Sequence, residues 1–321
     1  MKSGMTSGVT STAVVALALL VAMPCVAQAP ASIRVDVKLV NVGFAVRDER
    51  GNLVTNLTQD DFEITEDGVP QKIAFFARST DVPLTLGLIM DMSGSQHAFV
   101  KPHLKDLEMF LRTVLTPHDK AFVLAFSNSL RLVSDYSESG KYHVTALEQF
   151  EKAKDRSDYP LVGPMERRIL GTAFYDAIYY GSTQMMQNVD RGRRALVVFS
   201  DGEDNSSAHH MMETVEAAQA NDVLLFTIRY TEINNGRLNA RNKYGMGVME
   251  RIARETGGLD FDGQGKGLAE GFRQIGEQLR MSYEMAYHTS NPAGDKTFHK
   301  ISIKPKQAGL TVRAKTGYYS H

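Results

Sequence analysis

Between Val82 and Tyr283 short, wholly apolar runs alternate with amphipathic ones, and this order limits the fold more than any other feature of the chain. "PLTLGLIMD" (83–91) has no polar face, as expected of a strand covered on both sides. "AFVKPHLKDLEMFLRTVL" (98–115) spaces Phe99, Leu104, Leu107, Phe110 and Leu111 as one side of a helix. Strands are then predicted at "KAFVLAFS" (120–127), "LRLVSDYS" (130–137), "RRALVVFSDG" (193–202) and "DVLLFTIRY" (222–230). Helices are predicted at 171–187, 209–221, 248–258 and 267–283. Repeated strand–helix order implies a mostly parallel sheet with helices on both faces.

The flanks have a different period. Ile33, Val35, Val37 and Leu39 alternate with polar residues, a second strand is expected near Val42, and "DERGN" (48–52) is a turn. "DFEITEDGVPQKIAFFAR" reads as two strands joined by a hairpin turn at Glu66-Asp67-Gly68. After Tyr283, "YEMAYHTS", "FHKISIKP" and "LTVRAKTGYYS" read as three more strands. Both flanks need a facing partner, so they are expected to pair into one small antiparallel unit. The organisation read from the sequence is residues 1–27 as a signal peptide, 28–81 as an N-terminal β segment, 82–282 as the α/β domain and 283–321 as a C-terminal β segment.

The signal-peptide reading rests on Lys2, the only charge among the first thirty residues, followed by the apolar run "TAVVALALLVAM" (12–23) and small residues. The run is short for a membrane span, and cleavage is expected after Ala27. The alternatives are an uncleaved anchor and acylation at Cys25, where Pro24 fits a lipobox poorly. Cys25 is the one cysteine, so the mature chain has no thiol and neither a cystine scaffold nor a Cys-ligated zinc site is open to it. A net charge of −1 over 321 residues excludes the basic footprint of a nucleic-acid binder.

Ligands of open α/β sheets bind beyond the carboxyl ends of the strands. There the first strand delivers Asp91, Ser93 and Ser95, the strand at 193–200 delivers Asp201, and Thr172 opens a helix after Gly171. Five hard oxygen donors suit Mg²⁺, Mn²⁺ or Ca²⁺ rather than zinc or copper. With Asp91-x-Ser93-x-Ser95, the threonine of "GTAFYDAI" and the aspartate of "FSDGEDN" in this order, the chain resembles a von Willebrand factor A (VWA) domain over about residues 82–282. The resemblance implies a Rossmann-like three-layer α/β fold and a metal-ion-dependent adhesion site. In that site the two serines, the threonine and one aspartate hold Mg²⁺, and the other aspartate often acts through water. The flanks, with "VRAKTGYY" at the tail, are similar to the β extensions of a VWA-related family common in acidobacteria, whose members are exported.

Three neutral hydroxyls and two carboxylates leave a divalent ion under-neutralised, so it would attract an acidic side chain of a protein partner. The sequence therefore predicts a metal-dependent binding or adhesion module and no enzyme. The alternatives are a structural envelope or assembly protein with a purely structural metal, and a metal-dependent hydrolase, for which a general base or second metal is missing. Two long loops should border the ion, with Arg167, Arg168, Arg237, Arg241 and Lys243 favouring an acidic partner. Glu203 and Asp204 read as solvated loop carboxylates, and Asp176 as either a loop-orienting group or an exposed one. His97, His103, His209 and His210 read as surface or boundary residues, and Arg191, Arg193 and Arg194 as a solvated cluster opposite the ion. "GLDFDGQGKG" (258–267) reads as a strand end and a turn, not a calcium loop.

Overall fold

The computed structural model describes residues 39–80, 82–163, 171–187, 189, 192–231, 237–291 and 294–320. In chain order the strands and helices are β1 (Leu39–Arg47), β2 (Phe62–Glu66), β3 (Val69–Pro70), β4 (Ile73–Ser79), β5 (Leu84–Asp91), α1 (Val100–Val114), β6 (Lys120–Phe126), β7 (Leu130–Ser137), α2 (Gly140–Lys152) and α3 (Phe174–Tyr180). They continue with β8 (Arg193–Ser200), α4 (Met211–Ala220), β9 (Val223–Arg229), α5 (Ala240–Thr256), β10 (Asp260–Asp262), α6 (Leu268–Arg280), β11 (Ser282–His288), β12 (Phe298–Pro305), β13 (Thr311–Ala314) and β14 (Gly317–Tyr319). The signal segment, the alternation at Ile33, Val35 and Val37, Arg167, Arg168 and Arg191 lie outside the described residues.

The central sheet has the order β10-β9-β8-β5-β6-β7. All its pairings are parallel except β6 with β7. Every residue of β5 is buried, as its unbroken apolar run requires. The two-residue period sorts each strand between the covering layers. Ala195, Val197 and Phe199 join Leu107, Phe110, Leu147 and Phe272 of α1, α2 and α6. Leu196 and Val198 join Ile178, Val215, Val248 and Ile252 of α3, α4 and α5. Each such fully buried side chain contributes roughly 1.5–3 kcal/mol of transfer free energy, so the two faces supply most of the drive to fold.

The helix α2 has no counterpart in the sequence expectations. Its buried stripe includes His143, which reads as polar in a pattern but here bonds Ser134 Oγ through Nδ1 at 2.8 Å. The helix predicted at 171–187 is shorter than expected, since α3 ends at Tyr180 and gives way to a π turn over Gly181–Met185.

Two four-stranded sheets, β13-β1-β11-β4 and β14-β12-β2-β3, enclose a separate core of Val42, Phe44, Phe62, Ile64, Tyr283, Met285, Ile301 and others. Both sheets interleave strands from the two ends of the chain. β1 pairs with β11 and β13, and β2 pairs with β12, all antiparallel. Three expectations are corrected. No second strand starts near Val42, because β1 runs unbroken. Leu39 is 45% exposed, and the inward face belongs to Val40, Val42, Phe44 and Val46. The tail "LTVRAKTGYYS" is not one strand, because the chain leaves the first sheet after Ala314, hands the Thr316 N–H to Glu255 O at 3.0 Å, and enters the other as β14.

Candidate metal centre

β5 and β8 are neighbours in parallel register, Met90 facing Phe199, so Asp91 and the Ser200-Asp201 pair leave the sheet side by side. Asp91 is completely buried, and both its oxygens are held. Ser93 N–H donates to Oδ1 at 2.9 Å and Ser200 Oγ–H donates to Oδ2 at 2.5 Å. Beyond it the chain turns into a 3-10 segment, Gly94–Phe99, which places Ser93 Oγ 3.2 Å from Ser95 Oγ. Ser95 is exposed while Ser93 is 5% exposed, so the hydroxyl pair runs from the interior to the rim.

Thr172 belongs to another loop, brought in by Asn205. The Thr172 N–H donates to Asn205 Oδ1 at 2.7 Å, and the N–H groups of Asn205 and Ser206 donate to Thr172 O at 3.1 and 3.2 Å. Gly171 permits the contact. Its φ is 128°, and a Cβ there would lie 2.6 Å from Ser206 Cβ. Asp176 is 3% exposed, which excludes the exposed reading, and its carboxylate takes the Ala208 and His209 N–H groups at 3.0 Å. His209 completes this arrangement, with Nδ1 2.8 Å from Asp176 Oδ1 and its ring stacked on Tyr179 at 3.6 Å.

The electrostatics of the pair follow from burial. Desolvation and the nearby Asp201 carboxylate push Asp91 up to about 7, against the hydrogen bonds from Ser200 and Ser93. Two buried carboxylates in one loop cluster, faced by neutral hydroxyls, form a donor set that a hard divalent cation would complete. Asp91, Ser93, Ser95 and Asp201 thus share one hydrogen-bonded cluster, and Thr172 is stapled to the loop that follows Asp201.

Several polar residues stand otherwise than their types suggest. Glu203 and Asp204 are not free loop carboxylates. Glu203 pairs with Arg241 at 2.8 Å with its side chain 10% exposed, and Asp204 accepts from Ser207 Oγ and from Tyr175 N–H. Burial raises both carboxylates, and Asp201 adds to the rise at Glu203. His103 is 1% exposed, not a boundary residue. It packs on Tyr230 at 4.3 Å, has no hydrogen-bond partner at either nitrogen among the described residues, and burial pushes it down to about 3, so it stays neutral. Arg193 and Arg194 do not form a solvated cluster. Arg193 faces Glu284 at 3.4 Å, and Arg194 donates to Asn221 O at 2.6 Å.

Of the basic residues expected around the ion, Arg237, Arg241 and Lys243 are exposed, and Arg241 and Lys243 stand in the first turn of α5, where a loop was expected. Tyr244, 67% exposed beside them on α5, went unremarked in the sequence, as did Gln96, Ser200 and Asn205. Glycine at Gly245 hints at the last close contact, since a Cβ there would lie 2.3 Å from Asp201 O.

A second group of ligand-type side chains, Glu66, Asp67 and His299, has its donor atoms within 4.8 Å of one another. It belongs to the β2–β12 sheet. His299 is already engaged, Nδ1 with Asp67 at 2.8 Å and Nε2 with Asp295 at 3.0 Å, and it acts as an ionic clasp between the chain ends.

Counted from β5, the central sheet has the doubly wound order 3-2-1-4-5-6 with an antiparallel edge strand at position three, and the hydroxyl–carboxylate cluster sits at its carboxyl end. The α/β layer has the VWA fold. No family model matches the sequence, and no curated protein matches it. Among solved structures the chain is similar to the conserved hypothetical protein BatB from Bacteroides thetaiotaomicron, at 14% identity and TM-score 0.44 over 61% of this chain and 98% of that one. It is also similar to proximal thread matrix protein 1 from the mussel byssus, in a form with a zinc-occupied MIDAS motif, at 13% identity and TM-score 0.46 over 67% and 50% of the two chains. A third likeness is to the manganese-loaded TRAP protein of Plasmodium vivax, at 12% identity and TM-score 0.42 over 76% and 97%. Among the described residues of this VWA-fold chain no helix is long and apolar enough to cross a membrane.

Proposed function

We propose that this chain is an exported, metal-dependent protein-binding module that takes a divalent cation, Mg²⁺ first, at Asp91, Ser93, Ser95, Thr172 and Asp201. The observation that carries the reading is the buried Asp91 carboxylate beside Asp201, with the neutral hydroxyls of Ser93 and Ser95 leading from it to the surface. When bound, the ion supplies an electrophilic position for an oxygen ligand of the partner. The chain's own groups hold the loops in place. Ser200 and the Ser93 N–H orient Asp91, and Asn205 orients Thr172.

Binding is favoured over catalysis because the nearby carboxylates are tied up. Asp91 and Asp201 belong to the ligand set, and of the other described carboxylates beside it Glu203 is paired with Arg241 and Asp204 with Ser207, so neither of these two is poised as a general base. The partner is a protein presenting a Glu or Asp side chain. Arg237, Arg241 and Lys243 would steer its approach, an effect on association rate that salt weakens. The N-terminal apolar run after Lys2 supports the export part of the reading.

The test is capture of a partner from envelope extract in Mg²⁺ and in EDTA, with Asp201→Ala as the control. The reading requires capture in Mg²⁺ alone. A partner whose binding survives both EDTA and Asp201→Ala would overturn it in favour of a structural metal.

A further inference from the structure

Gln96 follows the Asp91-x-Ser93-x-Ser95 run directly, and its side chain is completely buried. Its backbone N–H closes the 3-10 turn on Ser93 O at 3.1 Å, so its position is set by the serine loop itself. The side-chain amide nitrogen donates twice, to Asp201 Oδ2 at 2.8 Å and to Tyr230 O at 3.2 Å. Both of its hydrogens are therefore committed. The Tyr230 carbonyl is itself anchored, because the Tyr230 N–H donates to Ser200 O at 3.0 Å and the Tyr230 hydroxyl to Asp106. On its other side Asp201 is held by the Glu203 N–H, which reaches Oδ1 at 3.1 Å.

We infer that Gln96 is a positioning residue that tethers Asp201 away from the ion, so that Asp201 acts through water and the ion keeps its positive charge for an acidic visitor. This rests on the metal-site reading above. With Oδ2 on the Gln96 amide and Oδ1 on the Glu203 N–H the carboxylate is fixed in orientation, and turning it to ligate directly through Oδ2 would break the 2.8 Å bond and leave a buried amide hydrogen unbonded. The residue type is specific to the task. A primary amide of this length offers, without a charge, two donors to two acceptors that lie just past the ends of β8 and β9. A methionine of similar volume would leave Asp201 free to turn, and a glutamate would repel it.

The experiment uses the full chain with Mn²⁺ as the probe, comparing wild type with Gln96→Met and Gln96→Glu. Mn²⁺ affinity is read by paramagnetic resonance titration, the number of exchangeable waters on bound Mn²⁺ by water-proton relaxation, and folding by circular dichroism and thermal unfolding. In both variants the bound ion should lose one exchangeable water, and Mn²⁺ should bind roughly tenfold more tightly as a second carboxylate enters. Acetate, as a minimal acidic ligand, should bind the loaded variants more weakly than loaded wild type. An unchanged water count, or a loss of Mn²⁺ affinity in a folded variant, would overturn the assignment. If Gln96→Met does not fold, Gln96→Glu decides; failure of both to fold would make Gln96 a packing residue and also overturn it. Wild type that binds no Mn²⁺ would instead bring down the metal-site reading itself.

Discussion

Asn205 holds Thr172 by both of its backbone groups, taking the N–H on Oδ1 at 2.7 Å and giving its own N–H to the carbonyl at 3.1 Å. The threonine is thereby fixed to the loop that begins at Asp201, although the two residues are far apart in sequence. Asn205→Ala removes no oxygen donor from the site but frees that loop. Stability should fall by about 1–3 kcal/mol, the cost of an unsatisfied amide. Mg²⁺ affinity should fall roughly 10–100-fold, as when an orienting partner is lost. Urea unfolding and calorimetric titration read the two effects separately, and unchanged Mg²⁺ affinity would show that Thr172 needs no such support.

Asp91 makes the ion-free protein sensitive to pH. Its folded value is raised from 3.8 to about 7, so the folded state holds the proton more tightly than the unfolded one. The Asp91 contribution to stability is therefore greatest at low pH and declines as pH rises from about 4 through 7. In EDTA, wild type should lose thermal stability over that window and Asp91→Asn should lose less. Mg²⁺ at pH 8 should stabilise wild type and leave Asp91→Asn unmoved. Equal pH slopes in the two proteins would mean that Asp91 is not strained in the ion-free state.

Gly245 lets the first turns of α5 lie against the site from below. A methyl group at this position would sit 2.3 Å from Asp201 O and 3.3 Å from the Gly202 carbonyl carbon. Gly245→Ala should push helix and loop apart and cost about 1–3 kcal/mol, in the range of an overpacked core. Since residue 245 carries no donor, any accompanying loss of Mg²⁺ affinity reports on loop position alone. Chemical denaturation and the same titration check both parts.

The clasp at His299 joins the turn after β2 to the loop before β12. Burial works against its charge, but hydrogen bonds to Asp67 and Asp295 outweigh it and raise the imidazole above 6.5. Asp67 is lowered despite its own desolvation, by His299, the Lys300 N–H and Asn291. A raised histidine stabilises fully below its unfolded value and loses that contribution as pH rises through the folded one. A depressed Asp67 contributes above 3.8 and loses it in acid. Glu66 at 3.9 Å adds a third carboxylate to the surroundings of the imidazole. Wild type should therefore lose stability relative to His299→Gln as pH rises above about 6.5. Parallel unfolding curves across that range would show that the clasp carries no charge.

Much of this molecule is legible without coordinates. The apolar run at β5 dictates a strand buried on both faces, because Leu84, Leu86, Leu88 and Met90 on one face are matched by Ile89 on the other, and strand–helix alternation then dictates parallel pairing. Asp91, Ser93, Ser95, Thr172 and Asp201 fall at strand and helix ends, where side chains are free to serve a ligand rather than the core. The helix α2 was invisible because a buried histidine with a partner cannot be told from an exposed one by type. The face of β1 was misread because a one-residue slip in a two-residue period exchanges inside for outside.

What the tertiary structure alone decided is which polar groups meet. Gln96, Ser200 and Asn205 are unremarkable letters in the sequence, and each acquires its role from a partner on another loop, Asp201, Asp91 and Thr172 respectively. Apolar periodicity is a local property that a strand or helix carries in its own residues, and so it can be read along the chain. A hydrogen bond across two loops depends on distances of a few tenths of an ångström between segments far apart in sequence, and only the packed sheet sets those distances.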